Sequence, residues 1–174
     1  MIAPAKEILV IGLGLIGSSI AKAAKNKGLI VNGYDNNESS TKEALNKNII
    51  DASFETLDEI NDKELAKKVD IVIVAVSPKA TQRVISEIKN LWNTATTITD
   101  TSSVKNHLNF DSPTNIIFSH PIAGSDKSGI SGVDDQLFIN KKTIICNPYK
   151  VDESHLSKLR NFWEHALSMR VEEM

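Results

Sequence analysis

Apolar positions along the first hundred residues fall into two alternating patterns. Short continuous runs occupy Ile8 to Ile11, Leu29 to Tyr34, Ile71 to Val76 and Thr96 to Thr99. Their β-branched character, clearest in Ile71-Val-Ile-Val-Ala-Val76, suits parallel strands buried on both faces. Between them lie helical stretches: Ser18 to Lys27, with Ile20, Ala21, Ala23 and Ala24 on one side and Gly28 as a stop, then Asn36 to Asn48 and Asp62 to Lys68. Another runs from Pro78 to about Leu91, with proline in its first turn and Ala80, Val84, Ile85 and Ile88 at helical spacing. Asp51 to Glu59 is expected to hold a short strand leading toward the Asp62 to Lys68 stretch. This alternation predicts an α/β fold with a doubly wound, mostly parallel sheet and helices on both faces. Further on, Ile116 to Phe118 and Thr143 to Cys146 read as short strands, and Asp152 to Leu167 as an amphipathic helix.

The first strand runs directly into Gly12-x-Gly14-x-x-Gly17, which makes the fold Rossmann-type. Gly12 permits the tight turn, Gly14 lets backbone approach a pyrophosphate, and Gly17 lets the following helix pack on the sheet. The helix N-terminus then offers unpaired N–H groups and a positive dipole end to the phosphates. Asp35 ends the second strand, about 20 residues on, where a carboxylate accepts hydrogen bonds from ribose hydroxyls. Asn36 and Asn37 follow it with no arginine nearby in sequence, so NAD is expected in preference to NADP. Ligands of such sheets lie beyond the carboxyl ends of the strands, which brings Gly12, Asp35, Ser77 and the Asp100 to Lys105 segment to one crevice. The expected cofactor contacts are Gly12, Leu13, Gly14, Leu15, Ile16, Gly17, Asp35, Val76 and Ser77.

Length and charge narrow the partners. At 174 residues the chain holds one full core and hardly two. A net charge of -2 gives no general attraction to nucleic acid or anionic lipid, and no apolar run approaches the roughly 20 residues that cross a bilayer. Met1 to Glu7 is too short and polar for a signal peptide, so a cytoplasmic location is expected. Cys146 is the single cysteine and is expected to be a buried core thiol. No metal site is expected.

Two later segments add chemistry: Asp100-Thr-Ser-Ser-Val-Lys105 and Ser119-His-Pro-Ile-Ala-Gly-Ser-Asp-Lys-Ser-Gly129. Together with the glycine fingerprint, and in this order, they resemble the prephenate and arogenate dehydrogenase family over essentially the whole chain. The resemblance implies that His120 is the catalytic histidine, taking the substrate hydroxyl proton, and that Ser103 hydrogen-bonds near that hydroxyl and the nicotinamide. Ser125 and Asp126 match substrate-side positions. The implied reaction is NAD-dependent oxidative decarboxylation of prephenate to 4-hydroxyphenylpyruvate in tyrosine biosynthesis, or of arogenate to tyrosine. A side chain with an ordinary pKa of about 6.5 suits the base role.

Other readings of the same residues stay open at this level. His120 beside proline also fits a strand end, and Ser103 also fits the cap of a helix beginning near Val104. Lys105 reads as structural or solvent-facing, His107, His155 and His165 as surface or partly packed, and Trp92 and Trp163 as helix-end packing. Gly124, Gly129 and Gly132 suggest a ligand-approaching loop or a tight surface turn. Asp126 stands where the family more often has glutamate, and Ser102 where it more often has glycine. The family also continues into an α-helical domain that dimerises, covers the site and supplies an arginine. That domain is expected to be absent from these 174 residues, and none of Arg83, Arg160 and Arg170, which lie in other contexts, matches its arginine. The expected partners are then a small-molecule substrate and either a second copy or a separate helical domain. An NAD(H)-binding module or truncated subunit without independent turnover is the competing reading. A β-hydroxyacid dehydrogenase shares the opening fingerprint but not the His120 to Gly124 segment.

Overall fold

The computed structural model describes residues 4–61, 63–88, 91 and 95–174. Trp92 lies outside the described residues. The first half alternates as the apolar pattern predicts: β1 (Glu7–Ile11), α1 (Leu15–Asn26), β2 (Ile30–Tyr34), α2 (Glu38–Asn46), β3 (Ala52–Ser53), α3 (Leu57–Ile60), α4 (Lys63–Lys68), β4 (Ile71–Val74), α5 (Pro78–Glu87) and β5 (Thr97–Asp100). The second half holds β6 (Phe118–Ile122), β7 (Lys142–Cys146), α6 (Glu153–Asn161) and β8 (Arg170–Glu173). The five early strands pair in parallel in the order β3-β2-β1-β4-β5.

The sheet continues past β5. Ile98 donates to Asn115 O at 2.9 Å and accepts from Ile117 N at 3.0 Å, so the chain entering β6 runs parallel beside β5. β7 then pairs antiparallel with β6, and β8 parallel with β7. β8 has no counterpart in the sequence reading, because Arg170-Val-Glu-Glu173 carries a single apolar residue. It is held by its ladder and by an ion pair from Arg160 to Glu173.

One core lies between the sheet and α1, α6 and the 130–138 segment, with Ile8, Val10, Ile20, Phe138 and Trp163 fully or almost fully buried. The other lies beneath α5 and the 108–110 segment, with Leu9, Ile11, Val72, Val74, Ile85 and Phe118. The layered arrangement is therefore the expected one.

Several boundaries differ from expectation for local reasons. α1 starts at Leu15 rather than Ser18, because Gly14 is its N-cap and Ser18 N donates to Gly14 O at 3.0 Å. β4 stops at Val74, so Val76 lies in the bend before α5, and α5 ends at Glu87, short of Leu91. The Asp152 to Leu167 stretch is capped by Asp152, but it is α-helical only to Asn161 and finishes in a π-turn over Phe162–Ala166 that buries Phe162 and Trp163 side by side. Cys146 is half-buried near Lys105 rather than a core thiol.

Candidate active site

Register places the site. Tyr34, Ile11, Val74 and Asp100 are mutual partners across β2, β1, β4 and β5, so the residues that follow them emerge in one row at the carboxyl edge. Asp35, Gly12, Ala75 and Thr101 are that row. Ser119 extends it onto β6, since its N–H donates to Asp100 Oδ1 and its hydroxyl meets that of Thr99 at 2.8 Å. His120 is the next residue. At ordinary strand spacing, Asp35 and His120 are four strands, or about 19 Å, apart along this edge.

At the Asp35 end the glycine turn has the form a dinucleotide needs. Gly12 has φ +96, and a Cβ there would stand 2.6 Å from Ala75 O. A Cβ on Gly17 would stand 1.8 Å from Gly12 O, so helix and turn touch backbone to backbone. A Cβ on Gly14 would meet nothing within 4 Å, leaving an open approach to the start of α1. That helix has no acidic residue in its first turn and carries Lys25 in its last, a polarity that suits an anion at its N-terminus. A cavity of about 410 Å³ opens here, lined by Gly12, Gly14, Asp35, Val76 and Ser77 among others. Leu13 is buried behind it, Leu15 and Ile16 are half-buried on the first turn of α1, and Gly17 packs on Gly12. The residues present fit a bound dinucleotide.

Asp35 is already engaged with the protein. Its Oδ2 accepts the Leu13 N–H at 2.7 Å and its Oδ1 the Asn37 N–H at 2.8 Å, each leaving further lone-pair capacity. The expectation of no nearby arginine fails in three dimensions, because Arg83 of α5 lines the same cavity. Its guanidinium pairs with Glu87 at 2.7 Å and is mostly exposed.

At the other end stands a charged cluster. Asp100 is fully buried, and Lys105, 20% exposed at its side chain, donates to Asp100 Oδ2 at 2.5 Å and to Ser119 O at 2.7 Å. Burial pushes the Asp100 carboxyl up and the Lys105 ammonium down, while the attraction between them opposes both shifts. Lys105 is therefore structural and not solvent-facing. His120 sits within β6 rather than at a strand end, with Ser119 and Pro121 turned to the opposite face. Burial and then the Lys105 charge lower the His120 pKa, against a smaller upward pull from Asp100. Its neutral, proton-accepting form is favoured.

The remaining candidates are more open. No helix begins at Val104, so Ser103 caps nothing. The turn is instead made by buried Ser102, whose hydroxyl donates to Val104 O at 3.0 Å. Ser103 is exposed beside it. Ser125 and Asp126 are exposed in the loop after β6, where Ser125 Oγ donates to Asp126 Oδ1 at 3.2 Å. That loop turns at Gly129, φ +63, and returns along α1, where Gly132 lies against Lys127 and Leu15. His107 meets Pro78 O at 2.7 Å and His155 meets the Thr97 hydroxyl at 2.8 Å, both packing contacts.

Comparison with known proteins resolves the family. The profile described as "Prephenate dehydrogenase, nucleotide-binding domain" matches residues 20–171. The chain belongs to this family. A prephenate dehydrogenase of Lactococcus lactis subsp. cremoris is 35% identical over 145 residues, which is 78% of this chain and 39% of the relative. A cyclohexadienyl dehydrogenase of Zymomonas mobilis is 30% identical over 166 residues, covering 91% of this chain and 55% of the relative. Among solved structures, the Aquifex aeolicus prephenate dehydrogenase in complex with hydroxyphenyl propionate and NAD+ superposes with a TM-score of 0.83 at 26% identity, over 97% of this chain and 59% of that one. The chain thus spans roughly two fifths to three fifths of the length of these relatives. Such likeness supports an NAD(P)-binding fold of the dehydrogenase family.

Two residues of the site take positions that the linear sequence does not fix. Lys105 was legible as part of the Asp100 to Lys105 segment, but nothing in a linear pattern says that its amine turns inward. Arg83 carried no signal, because it reaches the cavity only through the packing of α5 beside β4.

Proposed function

We propose that the chain is the dinucleotide-binding and base-bearing part of an NAD-dependent prephenate or arogenate dehydrogenase, the oxidative decarboxylation that leads to tyrosine. The observation that carries this reading is the shared edge. A dinucleotide cradle at Asp35 and Gly12 and a neutral-favouring histidine at position 120 lie along one row that crosses β2, β1, β4, β5 and β6. NAD, when bound, supplies the hydride acceptor. His120 takes the proton of the ring hydroxyl as that carbon is oxidised, and loss of the ring carboxylate as carbon dioxide leaves an aromatic ring. Ser103 orients the hydroxyl, and Ser125 and Asp126 meet the substrate from the loop after β6. Asp35 holds the adenosine ribose and disfavours a 2'-phosphate.

A second reading, an NAD(H)-binding unit that does not turn over alone, draws on the exposure of Ser103, Ser125 and Asp126. Substrate positioning and water exclusion need a more enclosed site. One experiment separates the two. The chain is titrated with NAD and then given prephenate or arogenate, with NADH and carbon dioxide followed together. Saturable release of both supports the enzyme, and cofactor binding without either supports the binding unit. Failure to bind NAD or NADP at all would overturn both.

A further inference from the structure

The buried ion pair beneath His120 has no assigned role in the reaction just described. Lys105 is the centre of it. Its ammonium has three N–H donors. One is taken by Asp100 Oδ2 at 2.5 Å and a second by Ser119 O at 2.7 Å, while the Phe118 ring lies 5.7 Å from Nζ on a further side. An amine so engaged is poorly placed to shuttle a proton. It is well placed to hold something still. The Ser119 carbonyl belongs to the peptide that joins Ser119 to His120, and Asp100 Oδ1 accepts the Ser119 N–H on the other side of the same residue. Asp100 and Lys105 therefore grip both backbone polar groups of the residue before the histidine. Ser119 Oγ is fixed as well, by Thr99 at 2.8 Å and by the indole N–H of fully buried Trp163 at 3.1 Å.

We propose that Lys105 is a positioning residue for His120, clamping the strand at Ser119 against Asp100 and presenting a fixed ammonium to the imidazole. The inference deepens the base role proposed for His120 and takes its catalytic meaning from that reading, but the clamp itself is independent of substrate. The titratable groups around the cluster are Asp100 of β5, Lys105 of the following loop and Cys146 of β7, which acts on the Lys105 charge. Toward His120 the two charges pull oppositely: Lys105 disfavours the imidazolium and Asp100 favours it. A fixed cation near the base opposes stray protonation from water, while a hydroxyl proton can still be taken because the hydroxyl grows more acidic as its carbon gives up a hydride.

The test is an NMR titration of the four histidines in the cofactor-free chain, with the His120 resonance assigned by its loss in His120→Asn. Lys105→Met should move the His120 titration upward, Asp100→Asn should move it downward, and Lys105→Arg should leave it near wild type. A scaffold role alone gives no reason for shifts of opposite sign. Should Lys105→Met fail to fold, the pair Asp100→Asn and Lys105→Arg carries the test, with a downward shift required of the first alone. No shift, or shifts in one direction for both charge-removing variants, would overturn the proposal. Because no substrate or cofactor is added, this outcome is separate from whether the chain oxidises prephenate.

Discussion

Leu13 and Asp35 are 22 residues apart in the chain and joined by a 2.7 Å hydrogen bond from the Leu13 N–H to Asp35 Oδ2. The bond fastens the glycine turn to the end of β2, so the carboxylate proposed to hold a ribose also sets the shape of the glycine turn. Asp35→Asn keeps an acceptor oxygen but loses the charge. NAD affinity should fall by about tenfold, from charged hydrogen bonds worth about 1.5–3 kcal/mol each, and the gap between NAD and NADP should narrow. Calorimetric titration with both cofactors checks this. Wild-type binding of NADP as tight as that of NAD would remove the basis of the preference.

Arg83 qualifies that preference. A guanidinium on the wall shared with Asp35 would soften the repulsion of a 2'-phosphate bound there. Arg83→Ala should therefore weaken NADP binding more than NAD binding. Its exposed pair with Glu87 contributes only about 0.3–0.5 kcal/mol, so the thermal midpoint should hardly move. Equal losses for the two cofactors would show that Arg83 does not sense the phosphate.

Gly14 and Gly17 should respond differently to one added methyl group. Gly17→Ala drives a Cβ into the Gly12 carbonyl, which no rotamer relieves, so stability should fall by at least about 1–3 kcal/mol. Gly14→Ala enters open space and should leave the melting curve almost unchanged while weakening NAD binding. Thermal melts and titrations of the two variants side by side decide it.

For the base, His120→Asn should lower turnover about 10²–10⁴-fold with NAD affinity preserved. The pH dependence has a definite sign. His120 must be unprotonated to act, and burial together with Lys105 lowers its pKa, so kcat/KM should persist below the ordinary imidazole value of about 6.5 and fall only as pH drops further. An acid limb at or above that value in a pH-rate profile would place the base elsewhere.

Ser119→Ala tests the support behind the histidine. It strands the Trp163 indole N–H in a dry core and removes the contact with Thr99, at a cost of about 1–3 kcal/mol in chemical denaturation. A loss of only about a few tenths of a kcal/mol would mean that another acceptor reaches the indole.

The strand and helix alternation through Asp100, the three glycines and the acid at the end of β2 were legible in the sequence because each rests on local periodicity, on the left-handed turn at Gly12 with the close packing at Gly17, or on a fixed spacing from that turn. Ile71 to Val74 could be read as a buried strand with no knowledge of its neighbours. The order of the strands could not, nor the row that sets Asp35, Gly12, Thr101 and His120 along one edge, since register is a relation between segments far apart in the chain. β8 was invisible because a ladder partner, not an apolar pattern, makes Arg170 to Glu173 a strand. Lys105 and Arg83 show the limit most clearly. A charged side chain has no periodic signature, and whether it points to water, to a buried carboxylate or into a cavity is decided by what the packed sheet and helices place within reach of its last few atoms.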